Sequence, residues 1–214
     1  EVGVPAGVVN VITTHHSREV SEPIISDPRL RKLSFTGSTP VGQSLLKQAA
    51  DRVLRVSMEL GGNAPFVVFD DADLDAAVEG AMMAKFRNIG QACTAANRFI
   101  VHESIADEFA RRVTERVSAM KVGRGTEDGV TIGPLINDAA VESSASLVAD
   151  AVAKGATVLT GGERAVLDGD LAEGFYVQPT VFEGTNSMRI FQEEIFGPVV
   201  SLTSFDDEAD ALKI

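Results

Sequence analysis

Cysteine is almost absent from this chain: Cys93 is the only one in 214 residues. A single thiol excludes an intrachain disulfide and any metal cluster built on several thiolates, and it suits a reducing compartment, so a cytoplasmic protein is expected. Basic residues are scarce, 19 Lys and Arg against 31 Asp and Glu, for a net charge of -12. That balance argues against nucleic acid or an anionic membrane surface as a general partner, while an anionic small molecule stays open where basic residues are local. There are three histidines. His15 and His16 are adjacent and cannot both face one ligand on a regular element, and His102 stands alone beyond an apolar strand, so surface solvation is expected for each and no metal site is assigned. No apolar run approaches membrane-spanning length, and the chain does not open on a basic segment followed by a hydrophobic one.

What is present is ample material for a core, 44% hydrophobic residues in a length that fits one large domain or parts of two. The chain opens at Glu1 without a methionine and stops at Ile214, just after Asp206-Asp207-Glu208-Ala209-Asp210-Ala211-Leu212 begins an acidic helical turn. Both ends look cut, and an internal piece of a longer protein is expected.

Strand and helix patterns alternate along the chain. Residues 8–13, β-branched and preceded by a Gly-Val-Pro-Ala-Gly turn, read as a strand, and Arg18 to Ser26 as a weak helix. Lys32 to Thr36 reads as a second strand that ends at Gly37-Ser38-Thr39-Pro40-Val41-Gly42. Val41, Leu45, Leu46 and Ala49 then recur at helical spacing. A glycine-bearing turn between a strand and a helix start presents backbone N–H groups to an anion, although Gly-Ser-Thr turns also serve as plain helix caps. Arg55 to Leu60 alternates as a strand and runs into Gly61-Gly62. Glu59 therefore stands at a strand end, where ligand crevices open in α/β sheets, as a candidate acid or base or as an ordinary solvated carboxylate.

Pro65 to Phe69 reads as the next strand. Asp70, Asp71, Asp73 and Asp75 are assigned to capping the helix that follows, whose small residues suggest close packing. Asn97 to Val101 is a strand, and Ser104 is expected to cap a helix carrying Ile105, Phe109, Val113 and Val117. Residues 121–137 read as a loop, Asp138 opens another helix that ends at Lys154-Gly155, and Ala156 to Leu159 is a strand. Residues 161–174 read as a polar surface loop, residues 175–181 as extended, and Val199 to Leu202 as a strand after the Gln192 to Pro198 turn.

Cys93 itself lies in Phe86-Arg87-Asn88-Ile89-Gly90-Gln91-Ala92-Cys93-Thr94, after a glycine in polar surroundings. A lone cysteine is ordinarily a small buried hydrophobe. The alternative is a thiolate nucleophile, which needs partial exposure, a base and a donor for the developing oxyanion.

Gly37-Ser38-Thr39, Glu59-Leu60-Gly61-Gly62, Gly90-Gln91-Ala92-Cys93 and Glu193-Glu194-Ile195-Phe196-Gly197-Pro198, in that order, resemble the aldehyde dehydrogenase superfamily. Glu59 and Cys93 are 93 − 59 = 34 residues apart, as that family's base and nucleophile are. The runs from Glu59 to Asp75, Lys85 to Asn88 and Gly129 to Leu135 look most like bacterial succinate-semialdehyde dehydrogenases. The resemblance implies an α/β fold, with a three-layer parallel-sheet catalytic domain over residues 58–214 and the later part of a Rossmann-like NAD(P)-binding domain over residues 1–57.

It also implies roles. Cys93 is the nucleophile and Glu59 the base. Gly37, Ser38, Leu60, Glu194 and Phe196 contact NADP or NAD, with Ser38 at the pyrophosphate, Glu194 on the nicotinamide ribose hydroxyls and Phe196 beside the ring. Arg87 takes the distal carboxylate of the aldehyde, for which a guanidinium fork is well shaped, or else forms a structural ion pair. An asparagine upstream of Glu1 completes the oxyanion site, and the full-length parent is a homodimer or homotetramer.

Three departures stand out. Thr14-His15-His16-Ser17 replaces a glycine-rich turn, Ala95 stands where many relatives carry a second cysteine, and both ends are short of the family's length. The competing expectation from another class is a non-catalytic domain that binds a nucleotide or partner chain without turnover.

Overall fold

The computed structural model describes residues 2–214, which divide into two compact units, a first that ends at Gly61 and a second over Gly62–Ile214. Met58, Glu59 and Leu60 are paired with Phe35, Thr36 and Gly37 and so stay with the first unit.

In the first unit α1 (Ser17–Ser26) leads to β1 (Lys32–Gly37), α2 (Thr39–Ala50) and β2 (Arg55–Leu60). The two strands are parallel, in register from Lys32 opposite Arg55 to Gly37 opposite Leu60. The strand expected over residues 8–13 is not formed; these residues are irregular and exposed. β-branched residues favour a strand only where a neighbour takes their N–H and C=O groups, and none of the described strands pairs with them.

The second unit is built on a five-stranded sheet in the order β3-β4-β9-β8-β7, from β3 (Ala64–Val68), β4 (Ala96–His102), β7 (Thr157–Thr160), β8 (Thr180–Glu183) and β9 (Val199–Phe205). All neighbours are parallel except the edge strand β7, which runs antiparallel to β8. The helices are α3 (Leu74–Phe86), α4 (Glu103–Ser118), α5 (Asp138–Ala153), α6 (Arg189–Gln192) and α7 (Glu208–Ala211).

Strand β8 shows the layering. Val181 points into the cluster with Phe99, Phe109, Val113 and Val117 from β4 and α4, while its neighbour Phe182 points into the cluster with Leu147, Val148 and Ala151 of α5. Helices thus cover both faces, as the near-continuous apolar runs of the central strands require. The four-residue stepping of Phe109, Val113 and Val117 ends with all three fully buried, each burial worth roughly 1.5–3 kcal/mol.

Several local expectations are corrected. Of the four aspartates at the start of α3 only Asp73 caps it, accepting from the N–H groups of Asp75 and Ala76, while Asp75, in the first turn, pairs with Arg112 of α4. The cap of α4 is His102, not Ser104: Nδ1 of His102 accepts the Ser104 N–H, and its ring packs edge-on against Phe205, so His102 is not simply solvated. Residues 121–137 hold a small parallel pair, β5 (Lys121–Val122) with β6 (Val130–Ile132). The 161–174 loop buries Ala165 and pairs Arg164 with Val177. No helix among the described residues is long and apolar enough to cross a membrane.

Candidate active site

The residues singled out in the sequence fall into two groups, one in each unit. In the first unit the parallel register sets Glu59 opposite Thr36 and Leu60 opposite Gly37, so the Gly37-Ser38 turn and the end of β2 share the carboxyl edge of the strand pair. Met58 and Leu60 are half-buried and Glu59 between them is exposed, the alternation a strand imposes. Ser38 is the N-cap of α2, but its hydroxyl makes no capping hydrogen bond. The plain-cap alternative is therefore not what Ser38 does, and the first N–H groups of α2 remain open to an anion, with a proline tolerated in that first turn. Gly42 lies one turn on; a Cβ there would be 2.5 Å from Cδ2 of Leu60, so the Leu60 side chain packs directly over the start of α2.

In the second unit the parallel strands β3, β4, β8 and β9 begin along one edge, and the candidate segments precede them. The Cys93 loop feeds β4, and the Ile195 to Pro198 turn feeds β9. The loop that carries Cys93 is held by hydrogen bonds within it and to Ile136. The Asn88 side chain donates to the Gln91 carbonyl at 2.7 Å, the Gln91 N–H donates to the Asn88 carbonyl at 2.8 Å, and the Gln91 side chain accepts the Ile136 N–H at 3.0 Å. Cys93 and Thr94 are the central residues of a turn closed by the Ala95 N–H on the Ala92 carbonyl. Cys93 is exposed, so the buried-hydrophobe reading fails and the thiol is within reach of a reactant. Ile89 and Gly90 both have positive φ, 49° and 76°, an unusual conformation for a β-branched residue and one found where a loop is held by its surroundings.

Arg87 follows the last turn of α3 and is exposed. On α4, Arg111 and Arg112 pair with Glu108 and Arg116 with Glu79, but among the described residues no carboxylate pairs with Arg87. A cleft of about 270 Å³ is lined by Arg87 and Asn88 together with Ala92 and Thr94, the two neighbours of Cys93.

The two acids of the Glu193-Glu194 pair differ. Glu193 is bidentate with Arg189 at 2.6 and 3.0 Å, which holds its carboxyl below the usual range. Glu194 forms no ion pair among the described residues, and Phe196 is 44% exposed. No group of three or more His, Cys, Asp or Glu among the described residues could hold a metal ion.

Sequence reasoning missed Lys85. It is 1% exposed, and its Nζ donates to Oδ1 of Asn97 at 2.7 Å and to the Ile195 carbonyl at 3.4 Å. Burial pushes its pKa down to about 7, against the raising effect of the Glu194 charge. A signal was available: Val78, Ala81, Met82 and Lys85 fall on one helical stripe, which places a lysine on the core face.

A family model described as the aldehyde dehydrogenase family matches residues 1–214. A succinate-semialdehyde dehydrogenase of Paenarthrobacter nicotinovorans is 54% identical over 100% of this chain, which covers 47% of it. The NADP(+) succinate-semialdehyde dehydrogenase of Escherichia coli K12 is 47% identical over 98% of this chain, with 42% of its own length matched. The crystal structure of succinate-semialdehyde dehydrogenase from Burkholderia pseudomallei aligns with a TM-score of 0.93 at 50% identity, over 99% of this chain and 43% of that one. The chain spans less than half the length of these relatives.

Proposed function

The chain belongs to the aldehyde dehydrogenase family, and from that premise we propose that the protein carrying it oxidises an aldehyde with a distal carboxylate, succinate semialdehyde first, to the acid, using NADP or NAD. The observation that carries the substrate class is Arg87, exposed, without a carboxylate partner among the described residues, and lining one cleft with the neighbours of Cys93. A guanidinium offers a planar pair of donors to a carboxylate, which lets a chain of net charge -12 select an anion locally.

Cys93 Sγ attacks the aldehyde carbon, and the Cys93 N–H, which has no backbone acceptor among the described residues, donates to the oxyanion. The bound dinucleotide supplies the two-electron acceptor. Glu59 takes the general-base role, removing a proton from the water that hydrolyses the Cys93 thioester. The uncapped start of α2 with Gly37 and Ser38 suits a pyrophosphate, and Leu60 supports that turn through Gly42. Glu194, free of the pairing that occupies Glu193, suits ribose hydroxyls, with Phe196 exposed beside it. The name of the E. coli relative supports NADP ahead of NAD. Residues 1–57 belong by this reading to the cofactor domain and 58–214 to the catalytic domain of a cytoplasmic homodimer or homotetramer.

The test is production of reduced cofactor from succinate semialdehyde by the complete protein. Cys93→Ala should abolish it, and normal turnover by that variant would refute the nucleophile assignment.

A further inference from the structure

Three of the segments discussed above end at different strands of one sheet: Gly62 before β3, the Cys93 loop before β4, and the Glu194 turn before β9. A chain of side-chain hydrogen bonds joins them beneath the surface. The Ile195 carbonyl and Oδ1 of Asn97 both accept from Lys85 Nζ, and Nδ2 of Asn97 donates to the Gly62 carbonyl at 3.5 Å. Lys85 and Asn97 are 1% and 3% exposed, so water does not compete for the two bonds that Lys85 Nζ donates, while the bond to the exposed Gly62 is only part-buried. The stem of Lys85 also underlies the nucleophile loop: its Cε is 3.2 Å from where a Cβ on Gly90 would lie.

A methionine would fill the same apolar slot without burying an amine, and burying one is unfavourable unless it is hydrogen-bonded. What lysine adds is donors. Whether charged or neutral, Nζ carries enough N–H groups for both acceptors.

We infer that Lys85 is a positioning residue, whose Nζ holds the loop bearing Cys93 and the turn bearing Glu194 in one fixed relation through Asn97 and the Ile195 carbonyl. The importance of those two segments for catalysis rests on the proposed function; the coupling between them does not.

The experiment is backbone hydrogen exchange on the complete protein carrying this chain, comparing it with Lys85→Met, which keeps the stem and removes the donors. Exchange should speed up about tenfold or more in residues 88–95 and 193–197 together, and stay unchanged in α4 (Glu103–Ser118). In the same variant KM for the dinucleotide should rise several-fold while the melting temperature does not fall, a split that a purely space-filling lysine would not produce. Unchanged exchange in either segment overturns the inference. If Lys85→Met does not fold, Asn97→Leu, which breaks the same chain while keeping Lys85, decides by the same readouts. Should the unmutated protein turn over no aldehyde, the functional reading fails and the exchange result still decides this one.

Discussion

A Cβ on Gly90 would lie 2.0 Å from the carbonyl oxygen of Gly197, so the loop that carries Cys93 rests directly on the backbone of the Glu194 turn. Gly90 also has φ of 76°, where an L side chain is strained whatever the space. Gly90→Ala meets both penalties, and because the obstacle is backbone it cannot swing aside. We expect a stability loss of roughly 2–4 kcal/mol, measured by urea denaturation of the variant against the parent.

By the proposed function, Arg87→Ala removes a charge-assisted pair with the substrate. At about 1.5–3 kcal/mol for such a bond, KM for succinate semialdehyde should rise roughly 10- to 100-fold. KM for butanal, which has no carboxylate, should barely change. Equal effects on the two aldehydes would return Arg87 to a structural role.

Glu59→Gln keeps the shape of the strand end and removes the proposed base. Steady-state turnover should fall by about 10²–10⁴-fold. A single-turnover burst of reduced cofactor should survive, because forming the thioester precedes the water step. Rapid mixing resolves the two phases, and loss of the burst along with turnover would place Glu59 earlier in the reaction.

Lys85 makes stability depend on pH. Burial lowers its pKa from the ordinary 10.5 to about 7 in the folded chain. Between those values the unfolded chain binds the extra proton, so stability rises with pH across this window, and the cost of burying the charge is fully present only below about pH 7. Lys85→Met lacks this dependence. Denaturation of both proteins from pH 6 to 10 should show the parent gaining stability relative to the variant as pH rises. A constant difference would mean that Lys85 keeps its proton in the fold.

Much of the local structure was legible because its causes are local. The helical spacing of Phe109, Val113 and Val117, and the Gly37-Ser38 turn at a helix start, depend on neighbours within a few residues. The four motifs in order sufficed for the family, since their spacing reflects one shared chemistry. Pairing was not legible. Residues 8–13 have the composition of a strand and no strand beside them, and His102 outcompeted Ser104 for a cap by a difference in backbone geometry.

For the site, the sequence by itself determined which groups could do chemistry: Cys93, Glu59, Arg87, Glu194 and an anion-ready helix start. Tertiary structure decided which are free to act. It left Glu194 without an ion pair among the described residues, exposed Cys93 on a tight turn, and buried Lys85 against Asn97 and Ile195. Availability depends on burial and on partners up to 110 residues away along the chain. Such partners meet only when the strands of a sheet are set side by side, and no local pattern encodes that.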